Sequence, residues 1–585
     1  MATYVGIAAG HVDPAVAVVH DGSVLAYVEE ERLLRYKHAP HRYPVRALRW
    51  ALRETGVEVS DIDAIAVAWD TDAFADGRIA AFYERLAADY RLDEATRRWQ
   101  SQKLGSFTTA ALQAHHARSW RRLFGEVSVP AVRGVPHHYV HAVQAGLQSG
   151  FDECVVLTAD GSGDTECTVL WELRDGRLKP LRSITMPHSI GWFYAAITEY
   201  LGFHAYGEEY KVMGLAAYGE ADAELAEKVA RVLQPHPDGI SYLLDPRFIH
   251  HGRHSHSGRF TDDMTELLGQ PPRATGAEIT GWHRAVARAA QQAVEDAMCR
   301  LVRWAVESTG LRHVAIGGGV ANNVKMNAAI GDRSGAVATF AHPMCGDAGA
   351  AAGAALALSL EDGYPPEPLA HVALGPGLDE AQVEAELRRI GVAYERVDDP
   401  AAHTARELAR GAIVGWVDGR MEAGARALGQ RSILADPRDE SMRDRVNEAV
   451  KMREPWRPFC PSIPAEVLGE YVTGNGDQRF MTVAGRATER LRRQAPAVVH
   501  VDGTVRAQAV DRSVLPAYHA LLTGFGQLTG VPVLLNTSFN LAGEPIVCTV
   551  SDALRSFWSS ALDMVVFGHF VVRKPLWVPE TRSAG

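Results

Sequence analysis

The chain has 585 residues, 22% of them charged and 47% hydrophobic, with 60 Lys and Arg against 71 Asp and Glu. That length and apolar content fit two folded domains and exclude a disordered chain. The net charge of −11, with basic residues scattered rather than striped, excludes a long polyanionic partner such as a nucleic acid but leaves room for a small anion. Six cysteines lie far apart with no CxxC pair, which argues against a zinc ribbon or a disulfide framework. Neither a basic leader nor a long apolar stretch precedes the first strand, so the expected setting is the cytoplasm, without membrane contact.

The first predicted strand, YVGIAAG, leads into the hairpin AVAVVHDGSVLAYVEE, turned at Asp21-Gly22. The plan recurs in CVVLTADGSGD and CTVLWELRDGRLKPL, turned at Asp175-Gly176. Asp-Gly favours a tight hairpin turn. A three-strand start occurring twice, each copy followed by helical sequence, predicts an α/β domain of duplicated ribonuclease-H-like type, as in the actin and Hsp70 ATPases, with nucleotide between two lobes.

Between the copies, VPHHYVHAVQAG sets His137 and His141 four residues apart, on one helical face. Asp160 ends the apolar strand CVVLTAD, and Asp347 follows AVATFAHP to open a Gly/Ala-rich helix. Strand ends and helix starts present side chains to a common cleft. A His/His/Asp/Asp set suits Fe(II), Mn(II) or Zn(II), with positions left open for phosphate oxygens. In EEYKVMGLAAYGE, Lys211 stands beside an expected Met213-Gly214 turn and lines the same cleft. The tract HHGRHSHSGRF, with His250, His251, His254 and His256, lacks accompanying carboxylates or thiolates and is read as a loop. IGGGVANNVKMN places Gly317, Gly318 and Gly319 between an apolar run and a helix start bearing Asn322, where glycines let backbone amides approach a nucleotide.

A Pro-rich break, GYPPEPLAH, near residue 365 divides the chain into domains 1–365 and 366–585. In the second, GRMEAGARALGQRSILADPR and KMREPWRPFCPSI interleave Arg420, Arg426, Arg431, Lys451, Arg453 and Arg457 with small and aromatic residues. Guanidinium forks match phosphate oxygens. Arg506 follows the turn of DGTVRAQAV, and Asn536 and Ser538 are placed after the apolar strand of LLNTSFNLAGEP, where amide and hydroxyl groups can hydrogen-bond a small polar ligand.

In this order, HHYVHA, ADGSGD, YKVMGLAAYG, GGGVANN and CGDAGAAAG resemble the O-carbamoyltransferases that include nodulation protein U and the tobramycin, cephamycin and ansamycin tailoring enzymes. The resemblance implies that the second domain is YrdC-like and, with ATP and Mg(II), converts carbamoyl phosphate to carbamoyladenylate at Arg426, Lys451, Arg457, Arg506, Asn536 and Ser538. It implies that the first domain binds nucleotide at Lys211, Gly317, Gly318, Gly319 and Asn322. There a metal, usually iron, on His137, His141, Asp160 and Asp347 holds phosphate while a small natural-product alcohol accepts the carbamoyl group. The resemblance also places a His before the Asp-containing turn near the N-terminus, where this chain has Val12. His11, one place earlier, is therefore the candidate base, and Lys37 in ERLLRYKHAP matches a basic position at the acceptor cleft. A homodimer is allowed for. Threonylcarbamoyl transfer to tRNA fits the acidic balance poorly, and a nucleotide-binding regulator would have no use for the second anion site.

Overall fold

The computed structural model describes residues 1–10, 12–89, 94–250 and 258–574; His11, His251, His254 and His256 lie outside the described residues. The two Asp-Gly hairpins form as expected. Strands β1 (Thr3–Ala8), β2 (Ala15–His20), β3 (Ser23–Glu29), β4 (Ala64–Val67) and β5 (Ala131–Gly134) make one sheet in the order β3-β2-β1-β4-β5. Strands β6 (Cys154–Gly163), β7 (Glu166–Arg174) and β8 (Arg177–Thr185) start a second sheet, and a small hairpin follows with β9 (Leu233–Pro235) and β10 (Tyr242–Leu244). Strands β11 (His313–Gly317) and β12 (Ala338–Ala341) complete the second sheet in the order β12-β11-β6-β7-β8. Order and direction match the first sheet strand for strand: two antiparallel pairs, then two parallel ones.

The two halves exchange a helix. His137–Leu147 follows β5 but packs on β6, β7 and β11 of the other sheet, while Ala350–Glu361 follows β12 but packs on β1, β2 and β4. The second of these, AAAGAALALSLE, is buried along nearly its whole length, which is why it is apolar all round rather than striped. It lies so close to β1 that a Cβ on Gly6 would stand 1.7 Å from Ala351 O. Gly6→Ala is therefore expected to force the helix off the sheet and cost about 1–3 kcal/mol, the usual range for overpacking, read as a lower urea midpoint; an unchanged midpoint would refute this close packing.

The C-terminal region is built on an eight-stranded mixed sheet. It contains β13 (Glu395–Arg396), β14 (Val414–Val417), β15 (Arg431–Ala435) and β16 (Cys460–Pro464). A separate three-stranded sheet is formed by β17 (Val472–Thr473), β18 (Gly485–Ala487) and β19 (Thr504–Val505). Strands β20 (Gln508–Val510), β21 (Leu534–Ser538), β22 (Met564–Phe567) and β23 (Phe570–Arg573) complete the larger sheet, ordered β13-β23-β22-β14-β15-β21-β16-β20. Asn536 and Ser538 thus lie within a strand, not after it. A buried ionic cluster clasps the two regions. Arg32 pairs with Glu29 and Glu31 and donates to Gly424 O at 3.0 Å, and Arg35 donates to Ile546 O at 2.6 Å. All six cysteines are buried free thiols, and no helix among the described residues is long and apolar enough to cross a membrane.

Candidate functional site

The exchanged helices bring four side chains together. His137 opens its helix with its backbone N–H donating to Asp164 Oδ2 at 2.8 Å, while Asp164 Oδ1 accepts from Asp70 N at 3.0 Å. One turn on, His141 faces His137, with Nε2 atoms 3.2 Å apart. Asp160 lies inside β6, not at its end, where the pairing with β7 turns irregular between Ala159 and Gly163, and stands 3.7 Å from His137 Nε2 and 3.3 Å from His141 Nε2. Asp347, just before the Ala350–Glu361 helix, approaches the same two nitrogens at 3.7 and 4.0 Å. One donor atom from each residue fits within a 4.8 Å group. Asp160 is fixed further by Gly161 N at 2.8 Å and Gly319 N at 2.9 Å.

Electrostatics shows what this cluster lacks. Burial pushes the His137 imidazolium down, but the Asp160 hydrogen bond and the Asp347 charge outweigh it and raise the pKa to about 9. Burial wins at His141, which is lowered. Asp347 is raised by burial and by the Asp160 carboxylate, and its Oδ1 is buried with no hydrogen-bond donor among the described residues. Two imidazole nitrogens facing each other and a shielded carboxylate oxygen all turn toward one point. The set fits a divalent cation with mixed nitrogen and oxygen ligands. His137 Nδ1 lies 3.3 Å from Ala68 O, an outer contact that leaves Nε2 as the ligating atom.

The glycine turn is tight for the same reason. Gly318 has φ +83°, and a Cβ there would stand 2.2 Å from Ala159 O; on Gly317 and Gly319 it would come within 3.0 Å of His141 O and Asp160 Oδ1. The three glycines thus let β11 and its turn close on the tetrad. Asn322 donates to Gly319 O at 3.2 Å, and Asn323, beside it, caps the helix Val324–Arg333. Met213-Gly214 proves to be helix rather than turn, inside Glu209–Leu215. Lys211 on that helix pairs with Glu208 and with Glu454 of the C-terminal region, each at 2.7 Å.

The basic residues of the C-terminal region gather beside this turn. Arg426 reaches Asn322 O at 3.5 Å, and burial together with the neighbouring Arg506 charge pushes its pKa down to about 9. Guanidinium groups do not lose their proton in proteins, so the shift marks a charge disfavoured first by burial and then by Arg506. Arg506 Nε donates to Cys460 Sγ at 3.1 Å. Arg453 lies over Phe459 and Arg457 over Tyr210, each 4.5 Å from the ring centre. Lys451 is held differently: its ammonium donates to Ser538 O, Asn540 O and Asn540 Oδ1 at 2.9, 2.8 and 2.8 Å. Burial and the charges of Arg453 and Arg457 hold its pKa well below the ordinary lysine value, but three acceptors for three N–H groups favour the charged form. Asn536, 1% exposed, donates to Ala427 O, Ser462 Oγ and Gln508 Oε1 at 3.0–3.3 Å. It braces the sheet beneath the cluster. Ser538 Oγ donates to Asn540 Oδ1 at 2.7 Å. Lys37 approaches Glu31 at 3.4 Å and its side chain is 39% exposed.

Together these features define a two-domain α/β protein with a buried two-histidine, two-aspartate cluster beside a second, arginine-rich site. Residues 3–356 match the carbamoyltransferase N-terminus family model and residues 405–574 the carbamoyltransferase C-terminus model. The chain is 37% identical to nodulation protein NolNO of Sinorhizobium fredii over 98% of its own length and 80% of that protein. It is 27% identical to nodulation protein U of Azorhizobium caulinodans, over 92% of this chain and 94% of that one. With 3'-hydroxymethylcephem-O-carbamoyltransferase of Streptomyces clavuligerus it shares 40% identity over 30% of this chain and 33% of that protein. Likeness to solved structures is faint: component A of (R)-2-hydroxyglutaryl-CoA dehydratase from Acidaminococcus fermentans matches at TM-score 0.33 and 11% identity, over 62% of this chain and 99% of that one. The chain belongs to the carbamoyltransferase family and is an enzyme of that family.

Proposed function

We propose that this enzyme moves the carbamoyl group of carbamoyl phosphate, through carbamoyladenylate, to a hydroxyl of a small natural-product alcohol in the cytoplasm. In this reading residues 366–585 form a YrdC-like activating domain using ATP with Mg(II), and residues 1–365 form the transfer domain. The observation that carries it is the gathering of Arg426, Lys451, Arg453, Arg457 and Arg506, of which only Arg457 has a carboxylate within ion-pair reach among the described residues, Glu454 at 3.8 Å. Cations crowded this way are relieved by a polyanion, and carbamoyl phosphate and ATP both supply one. Water first cleaves carbamoyl phosphate to carbamate and inorganic phosphate; carbamate is a poor electrophile, so its oxygen then attacks the α-phosphate of ATP, displacing pyrophosphate and giving a mixed anhydride with AMP that carries a good leaving group.

In the first half-reaction Arg426, Arg453, Arg457 and Arg506 bind phosphate oxygens and neutralise the charge that grows on departing pyrophosphate. Lys451 holds the Ser538–Asn540 turn in shape for them. In the second, the glycine turn and Asn322 lie against the phosphate end of carbamoyladenylate. Fe(II) or a similar cation on His137, His141, Asp160 and Asp347 would supply Lewis acidity toward phosphate oxygens. The hydroxymethyl group in the name of the cephem relative supports an alcohol as acceptor.

The test is pyrophosphate release from ATP with and without carbamoyl phosphate, and without any acceptor. Release is expected only with carbamoyl phosphate, and Arg457→Ala is expected to slow it by about 10²–10³-fold, the range for loss of one charge-stabilising donor. Release indifferent to carbamoyl phosphate would sink the activation step, and an unaffected Arg457→Ala variant would remove that residue from it.

A further inference from the structure

Transfer to a hydroxyl needs a proton acceptor; Val12 brings none to the turn that follows β1, and His11 lies outside the described residues. The geometry points to His38, oriented by Asp13, as the base that takes the acceptor's hydroxyl proton; the inference rests on the O-carbamoyl transfer proposed above.

Asp13 holds His38 at two points. Its backbone N–H donates to His38 O at 2.9 Å, and its Oδ1 lies 2.8 Å from His38 Nδ1. The carboxylate thereby keeps the proton on Nδ1 and leaves the Nε2 lone pair as the basic end, as an aspartate does for a catalytic histidine. Nε2 faces Gly207, where a Cβ would stand 2.8 Å away, so only glycine leaves this nitrogen room. The His38 side chain is 32% exposed. Its place also fits. The Asp13 charge is felt at Asp347 of the tetrad, which sets the pair on the tetrad's side of the fold. Glu31, nearby, is not free to join Asp13 and His38 around a cation: it already takes Arg32 at 3.3 Å, Lys37 at 3.4 Å and His38 N at 2.7 Å. The charged groups facing His38 are Asp13 and Glu31, which raise its pKa, and Lys37, which lowers it, with a net rise from the ordinary histidine value led by the Asp13 hydrogen bond.

The step balances simply. The hydroxyl proton passes to His38 Nε2 as the acceptor oxygen bonds to the carbamoyl carbon. The bond from that carbon to the phosphate oxygen breaks, and AMP leaves with the electron pair.

The test compares wild type, His38→Gln and Gly207→Ala, which presses on Nε2 while keeping the histidine in the chain. Three quantities are measured with carbamoyl phosphate and ATP: the pyrophosphate burst, carbamoylation of glycerol, and carbamoylation of hydroxylamine, a nucleophile that needs no base. Both variants are expected to lose about 100-fold or more in glycerol carbamoylation, the scale of general-base catalysis, with the burst and hydroxylamine capture unchanged. Retained glycerol carbamoylation, or equal loss with both nucleophiles, overturns the role. A wild type without a carbamoyl-phosphate-dependent burst fails earlier, at the proposed function itself. A second readout needs no turnover: the His38 imidazole, followed by NMR, should titrate above its ordinary 6.5 and shift downward in Asp13→Asn. An unshifted titration overturns the pairing.

Discussion

His141→Ala is expected to lower divalent-cation affinity by at least about 100-fold, above the 10–100-fold typical for loss of a mere outer-shell partner, and to abolish carbamoyl transfer while leaving the carbamoyl-phosphate-dependent pyrophosphate burst intact. The two activities separate because the tetrad belongs to the N-terminal sheets and the arginine cluster to the C-terminal region. His138→Ala is the matched control. His138 is on the same helix and also buried, with Nδ1 3.0 Å from Thr158 Oγ1 and a pKa pushed down to about 3 by burial, but it is not a member of the four-residue group. Both variants lose a buried imidazole, so both should lose stability through the cavity left behind; only His141→Ala should lose metal. Metal content after Fe(II) or Mn(II) loading checks this directly. Saturating cation should also stabilise wild type and His138→Ala by about 2.7 kcal/mol at a hundredfold excess over Kd, and His141→Ala far less. Equal metal content in all three proteins would overturn the tetrad as a binding site.

Much of this architecture was legible in the sequence because it rests on local chemistry. Asp21-Gly22 and Asp175-Gly176 each force a hairpin, so the repeated three-strand start could be read without any tertiary knowledge. His137 and His141 share a helical face by spacing alone. The exchange of helices between the halves was not legible, because local sequence does not say on which of two sheets an apolar helix such as Ala350–Glu361 will pack. Lys451 and Asn536 read as ligand contacts from their polar chemistry; the Lys451 ammonium and the Asn536 amide nitrogen are taken by the protein, while Asn536 Oδ1 is buried with no donor among the described residues. The acceptors of Lys451 come from residues 87 and 89 positions away, which no motif records. Asp164, inside ADGSGD, carries no sequence signal for its role of anchoring the start of the His137 helix. Nor does His38: its partner Asp13 lies 25 residues earlier and meets it where the chain after β1 turns through a left-handed residue, Asp13 itself, at φ 56°.

Arg426 presents the sharpest conflict between stability and function, and Arg426→Gln should expose it. In wild type this guanidinium stands half-buried beside Arg506, its one hydrogen bond among the described residues a long one to Asn322 O. Its depressed pKa records a charge held where burial and a like charge both disfavour it. Such a charge destabilises the empty site and stabilises the filled one. Glutamine keeps a donor for Asn322 O but removes the charge. The unliganded variant is therefore expected to melt no lower than wild type, while pyrophosphate release falls by about 10²–10³-fold. Pyrophosphate added as ligand should raise the melting temperature of wild type and raise that of the variant much less, since linkage scales with the affinity lost. If the variant instead melts well below wild type and keeps its response to pyrophosphate, Arg426 is a structural tie across the domain junction and the anion is held by Arg453, Arg457 and Arg506 without it.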